Sequence, residues 1–200
     1  HIPFALYNAM INPLKGYSLK GALWYQGESN IGRANQYRTL FPALIKGWRN
    51  AWNQGDFLFY FVQLAPYHYN DYDGITSAEL RDAQLKTLDL VPKTGMVVTT
   101  DIGDALDIHP RKKQEVGFRF AQLALHDYGK LEEGFTSPFY QSNKITGNSL
   151  IINFKYAKDL KMSRGTEIAG LTIAGKDQKI LSGERRNCEW QSIESILRQG

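Results

Sequence analysis

Phe57-Leu58-Phe59-Tyr60-Phe61-Val62-Gln63-Leu64 is a near-continuous apolar run, entered from the turn pair Gly55-Asp56. A strand that shows water neither face reads this way, without polar alternation. Such strands belong to parallel sheets covered by helices on both sides. The reading of this run decides the fold, and its neighbours agree with it.

Upstream, Tyr37, Leu40, Phe41, Leu44, Ile45 and Trp48 recur at helical spacing and predict a helix over 35–52. Pro42 inside this run either kinks the helix or marks its start. Lys20 to Tyr25 is a short apolar run that reads as a buried strand, and Ala5 to Ile11 reads as a short helix broken by Pro13 and Gly16. Downstream, Pro66 to Gly74 is rich in Tyr, His, Asn and Asp and reads as a loop. Ser77 suits the N-cap of a helix through Leu90, with Leu80, Ala83, Gln84, Thr87 and Leu88 along one side. Pro92-Lys93-Thr94-Gly95 turns the chain into a strand over Gly95 to Asp101. A helix follows from Pro110, a residue suited to the first helical position, to Tyr128, where Gly129 stops it. Its apolar stripe is Val116, Phe120, Leu123 and Ala124. Strand and helix therefore alternate over residues 1–130, which predicts an α/β domain with a parallel sheet between helix layers.

Beyond Gly129 the pattern changes. Pro138-Phe139-Tyr140, Lys144-Ile145-Thr146 and Ser149 to Phe154 read as short strands, with Gly147-Asn148 suited to a hairpin turn. Ile168 to Ala174 supplies a further candidate strand. Residues 131–179 thus read as a β-rich segment too small for a stable domain alone. Residues 180–200 form an atypical tail with Arg185-Arg186, Cys188 and Trp190, and with Ile193, Ile196 and Leu197 as a short helical stripe.

Composition narrows the classes of function. The chain has 200 residues, 42% hydrophobic and 22% charged, with a net charge of +4. These are the proportions of a globular protein. Lys and Arg are scattered, without the basic runs or interleaved aromatics of a nucleic-acid surface. No apolar run approaches membrane-spanning length, and no signal peptide is visible. The single Cys188 excludes an internal disulfide. His, Asp and Glu show no metal-ligand spacing, so no metal is expected.

Chemistry gathers at two strand-to-loop corners. One is Gln26-Gly27-Glu28-Ser29-Asn30, a dense set of donors and acceptors after the first strand. The other is Asp104-Ala105-Leu106-Asp107-Ile108-His109-Pro110, after the strand that begins at Gly95. Parallel strands bring their carboxyl ends to one edge, where open α/β sheets bind ligands. A histidine there is suited to act as a general base, with Asp107 or Asp104 orienting its ring. Gln26, Asn30 or the Gly27 backbone N–H can donate to an oxyanion, and Glu28 can hold the loop by hydrogen bonds. The plain alternatives are a turn histidine capping the next helix and a polar loop satisfying its own backbone. Arg81 and Gln84 are placed to face a substrate, Arg81 pairing a sugar carboxylate, or else lie on a solvated helix face. Tyr67, His68 and Tyr69 either line a pocket mouth, since tyrosines stack on sugars, or form an ordinary surface loop.

Trp24-Tyr25-Gln26-Gly27-Glu28-Ser29-Asn30 combined with Asp104 to Pro110 resembles the sialate O-acetylesterase family, a branch of the SGNH (GDSL-like) hydrolases. Leu6 to Leu14, Leu80-Arg81-Asp82-Ala83-Gln84 and Ile168 to Gly175 add to the likeness, which covers roughly residues 3–179. The resemblance implies a three-layer SGNH-hydrolase-like parallel sheet followed by a small β-rich segment. It also implies removal of acetyl groups from sugar hydroxyls by a Ser-His(-Asp) mechanism without metal or cofactor. His109 would be the base, and the Gln26-Gly27-Glu28 block would help build the oxyanion site.

Two departures stand out. The family's nucleophile lies in an N-terminal Gly-Gln-Ser-Asn type block, and this chain contains none. Ser29 lacks the second glycine of a hydrolase elbow. The family pattern also places the acid three residues before the histidine, where this chain has Leu106. The expectation is the C-terminal portion of such an enzyme, incomplete at its N-terminal side and inactive alone. Its serine would come from a missing segment or from a second chain. A sheet lacking its first strand would expose an edge that invites association. The expected ligand is an acetylated sugar or glycan, with no nucleic-acid or membrane partner. By resemblance the location is extracellular, periplasmic or lysosomal. The rival expectation is a non-catalytic carbohydrate-binding or assembly module on the same scaffold.

Overall fold

A computed structural model describes residues 4–69, 75–147 and 149–158. The chain divides into two compact units, His1–Ser137 and Pro138–Gly200.

The first unit holds a three-stranded parallel sheet in the order β1 (Gly21–Trp24), β2 (Leu58–Val62), β3 (Thr94–Val97). Ala22 pairs with Phe59, Trp24 with Phe61 and Val62 with Val97, so the three carboxyl ends share one edge. α1 (Ala34–Trp52) and α2 (Ile75–Leu90) connect the strands, and α3 (Lys113–Asp127) follows β3.

β2 divides its side chains between the two layers with the strand period of two. Phe59 and Phe61 meet Phe41 of α1, with ring centroids 6.3 and 5.0 Å apart. Tyr60 and Val62 join Val97, Ile102, Val116, Phe120 and Leu123 in the core beneath α3. The apolar run at Phe57 to Leu64 is therefore the central strand, buried on both faces, and the α/β class expected from it is the observed one.

The elements differ from the sequence reading at their ends. Pro42 is neither the start of α1 nor near it; it lies buried in the helix interior, where it has no N–H to donate. Ser77 is a buried residue of the first turn of α2 rather than its cap. α3 begins at Lys113, not Pro110, because residues 110–112 stay outside the helix and Lys112 has a non-helical ψ of 52°. Its far end closes as expected around Gly129, whose N–H bonds the carbonyl of His126 while Lys130 bonds Leu125. β3 ends at Val97, four residues short of Asp101, because residues 99–101 already turn: Ile102 and Gly103 both donate to the carbonyl of Thr99.

β1 was read as a buried strand but is an edge strand; among the described residues it pairs with β2 alone. Trp24 packs under α1 against Trp48 and Phe59, while Leu23 on the opposite face is 65% exposed. An open apolar groove beside it is lined by Gly21, Leu23, Leu58, Tyr60, Ala124 and Tyr128.

The foot of the sheet is held by one buried cation. Arg49 of α1 donates to the carbonyls of Phe57 (2.7 Å), Pro92 (2.9 Å) and Lys93 (3.2 Å), joining the amino ends of β2 and β3. Burial pulls its guanidinium below the ordinary range, against the opposing charge of Asp56.

In the second unit β4 (Phe139–Thr146) and β5 (Ser149–Lys155) form an antiparallel hairpin with an irregularity between Tyr140 and Ser142. The two short strands read over 138–140 and 144–146 are thus one. Asn148, the candidate strand at 168–174, Cys188 and the stripe in the tail lie outside the described residues.

Candidate active site

The carboxyl edge carries three loops. After β1 the chain runs through Tyr25, Gln26 and Gly27 into a helical turn at Glu28–Asn30. Gly27 is buried with φ +151°, a conformation side chains disfavour. Asn30 N–H closes the turn on the Gly27 carbonyl at 2.8 Å, and Gln26 Nε2 donates to Asn30 Oδ1 at 2.7 Å. The side-chain bond that spans this turn is therefore Gln26–Asn30, not one from the Glu28 carboxylate. The Gly27 N–H itself has no partner among the described residues. Buried peptide N–H groups are almost always paired, with protein or with water.

After β2, residues 63–69 are fastened to α2. Leu64 N–H donates to Gln84 Oε1 at 2.8 Å, and its carbonyl accepts Arg81 Nε at 3.0 Å. Gln63 Nε2 donates to the Arg81 carbonyl at 3.1 Å. The solvated-face reading fails for Gln84, which is fully buried, and Arg81 is half-buried. Tyr67 and Tyr69 stack edge to face, and Tyr69 donates to the Ala65 carbonyl. Burial first, then the charge of Glu28, lifts the Tyr69 phenol far above its ordinary value, against the pull of Arg81. Glu28, Arg81, Tyr25 and Tyr69 thus share one electrostatic patch.

After β3, the loop is pinned from two sides. Arg119 of α3 donates to the Val98 carbonyl at 2.6 Å and forks onto Asp101 at 2.7 and 2.6 Å. Gly103 lies against Pro66, where an added Cβ would come within 2.3 Å of its ring, and His68 N–H donates to the Ala105 carbonyl at 2.8 Å. The second and third loops are therefore in direct contact. The first reaches the start of α3, since Lys113 Nζ sits 4.2 Å above the Tyr25 ring.

His109 is exposed at the end of this loop. Asp107 does not orient its ring: Asp107 Oδ1 accepts the His109 backbone N–H at 2.9 Å, and Asp104 Oδ1 accepts that of Leu106 at 2.9 Å. Acids two residues upstream of an N–H make Asx turns, and here the backbone wins both carboxylates. The structure thus gathers Gln26, Gly27, Glu28 and Asn30 in one turn, with Arg81 beside them. His109 and Asp107 share a second loop on the same edge.

Two contributors escaped the sequence reading. Tyr37 was counted as part of an apolar helix stripe, yet its hydroxyl donates to Gln26 Oε1 at 3.4 Å. Burial, with Glu28 nearby and a bond to Gln84 opposing, pushes its phenol up to about 12. Gln84 reads in sequence as facing a substrate or lying on a solvated helix face, and is buried instead. The bracing by both is hidden in sequence because their partners are remote in the chain. Among the described residues no three His, Cys, Asp or Glu converge on a metal position, and no helix is long and apolar enough to cross a membrane.

Residues 3–126 match the sequence profile of a family described as "Carbohydrate esterase, sialic acid-specific acetylesterase". The sialate O-acetylesterase of Rattus norvegicus is 33% identical over 177 residues, covering 80% of this chain and 33% of the relative. The enzyme of Homo sapiens is 32% identical over 178 residues, covering 80% and 34%. This chain therefore spans about a third of the length of the curated relatives it matches. Its fold is similar to the crystal structure of a carbohydrate acetylesterase from Xanthomonas citri, with a TM-score of 0.81 and 36% identity over 88% of this chain and 42% of that one.

Proposed function

The chain belongs to the sialic acid-specific acetylesterase family of carbohydrate esterases, and from that premise we propose that it supplies the base and the oxyanion donors of a carbohydrate O-acetylesterase. The substrate is an O-acetyl ester of sialic acid or a related sugar. The observation that carries this reading is buried Gly27, whose N–H has no partner among the described residues, on the sheet edge that also bears the His109 loop.

The nucleophile is a serine outside these 200 residues, on another segment or another chain. His109 takes its proton as the oxygen attacks the acetyl carbonyl. Gly27 N–H and the Gln26 amide hold the oxyanion that forms. Collapse expels the sugar oxygen, which takes the proton back from His109. Water, deprotonated by His109, then releases acetate from the acetyl-serine. Asp107 fixes His109 through its backbone. Arg81, with Glu28, Asn30 and the nearby tyrosines, faces the sugar.

The test is hydrolysis of O-acetylated sialic acid by the full-length gene product, its His109→Ala variant and the 200-residue chain alone. Activity only in the first supports the proposal. Activity of the short chain, abolished by Ser29→Ala, overturns the external serine. Binding of acetylated sugar with no turnover by any of them overturns the enzyme reading in favour of a binding module.

A further inference from the structure

Gln84 sits where no local rule of sequence puts an amide. It is 0% exposed, in the middle of α2, yet its polar atoms meet the backbone at the end of β2 and in the loops that follow β1 and β2. Oε1 accepts the Leu64 N–H at 2.8 Å. Nε2 faces the carbonyls of Val62 at 3.3 Å and Gln26 at 3.5 Å. The same nitrogen is what a Cβ on Gly27 would meet at 3.1 Å. Tyr37 completes the set from α1, its hydroxyl reaching Gln26 Oε1.

We propose that Gln84 is the positioning residue of the oxyanion loop: it holds the Gln26 carbonyl and seats Gly27 against its amide, so that the Gly27 N–H stays free and aimed at the reacting oxygen. A buried amide is costly unless its groups are paired, so its place is fixed by three backbone partners at once. The peptide that carries the Gly27 N–H also carries the Gln26 carbonyl. Holding the carbonyl therefore sets the direction of the donor. Tyr37 supports the same peptide through the Gln26 side chain. This inference rests on the esterase reading of the site.

The experiment uses the full-length gene product. Gln84→Met keeps the volume and removes the polar atoms, while Tyr37→Phe removes one hydroxyl. Each is measured for kcat, KM and melting temperature, beside wild type and His109→Ala. Misplacing an oxyanion donor lowers kcat by roughly 10- to 100-fold in Gln84→Met, with KM within about twofold, because the donor acts on the transition state and not on bound substrate. Tyr37→Phe lowers kcat by about threefold or more in the same pattern. The double variant is less than multiplicative, since both act on one peptide. A folded Gln84→Met protein with wild-type kcat overturns the inference. Should Gln84→Met not fold, wild-type kcat in Tyr37→Phe overturns it. A change confined to melting temperature or KM does so as well. Loss of the esterase reading is distinct: wild type is then inactive, or His109→Ala remains active.

Discussion

Asp107 Oδ1 accepts the backbone N–H of His109 at 2.9 Å, and among the described residues no carboxylate pairs with the His109 ring. The acid acts as a bracket for the main chain. An asparagine offers the same oxygen, so Asp107→Asn keeps kcat/KM within about threefold. Asp107→Ala, which loses one hydrogen bond of roughly 1 kcal/mol, lowers it by about fivefold. Steady-state kinetics of the two variants in the full-length protein check this. A charge acting on the ring would instead make Asn as damaging as Ala.

Gly103 fills the contact between the second and third loops. Its backbone lies so close to Pro66 that an added methyl would fall 2.8 Å from the Pro66 nitrogen and carbonyl oxygen as well as on its ring. Gly103→Ala therefore separates the loops. It should cost about 1–3 kcal/mol of stability and displace His109 with a corresponding fall in activity. Urea unfolding and an esterase assay on the same preparation read both.

The Arg119–Asp101 fork gives a pH signature. Hydrogen bonding to Arg119, against the effect of burial, holds the Asp101 carboxyl below its ordinary 3.8. The folded state thus gains from the ionised acid at every pH above about 4, and the gain disappears as pH falls through the lowered value. Asp101 is 61% exposed, so solvent screening keeps the effect small. Asp101→Asn should melt slightly below wild type at pH 7, with the difference shrinking under pH 4. Calorimetry across pH 2–7 checks it.

At the foot of the sheet, Arg49→Met takes a donor from three strand-end carbonyls, of which that of Lys93 keeps the Phe59 N–H. The expected loss is about 2–4 kcal/mol, since each orphaned buried acceptor carries its desolvation cost. Activity at low temperature should stay within about twofold, because the site lies on the opposite edge. Denaturant melts and kcat on one sample test both halves of the statement.

What the sequence showed best was what hydrophobic burial controls. The run around Phe59 and Phe61, the stripe through Phe41 and Ile45 and the turn at Gly129 each answer to local periodicity or stereochemistry, and each is where it was read. Helix starts were less legible. The Asx turns at Asp104 and Asp107, with the non-helical backbone of Lys112, hold the chain out of α3 until Lys113. The polar supports were least legible. Gln84, Tyr37 and Arg49 bond to backbone or side chains brought near by the fold, so nothing adjacent in sequence distinguishes them from ordinary helix residues. The residues of the Gln26 turn could be named because they are contiguous; the way they are braced could not.

Arg49 and the loops occupy opposite ends of the same three strands. The stability drawn from Arg49 is therefore held a full strand length away from the side chains that govern turnover. A lineage, or a directed-evolution campaign, can harden the lower end of this sheet while leaving the substrate range at the upper rim free to drift.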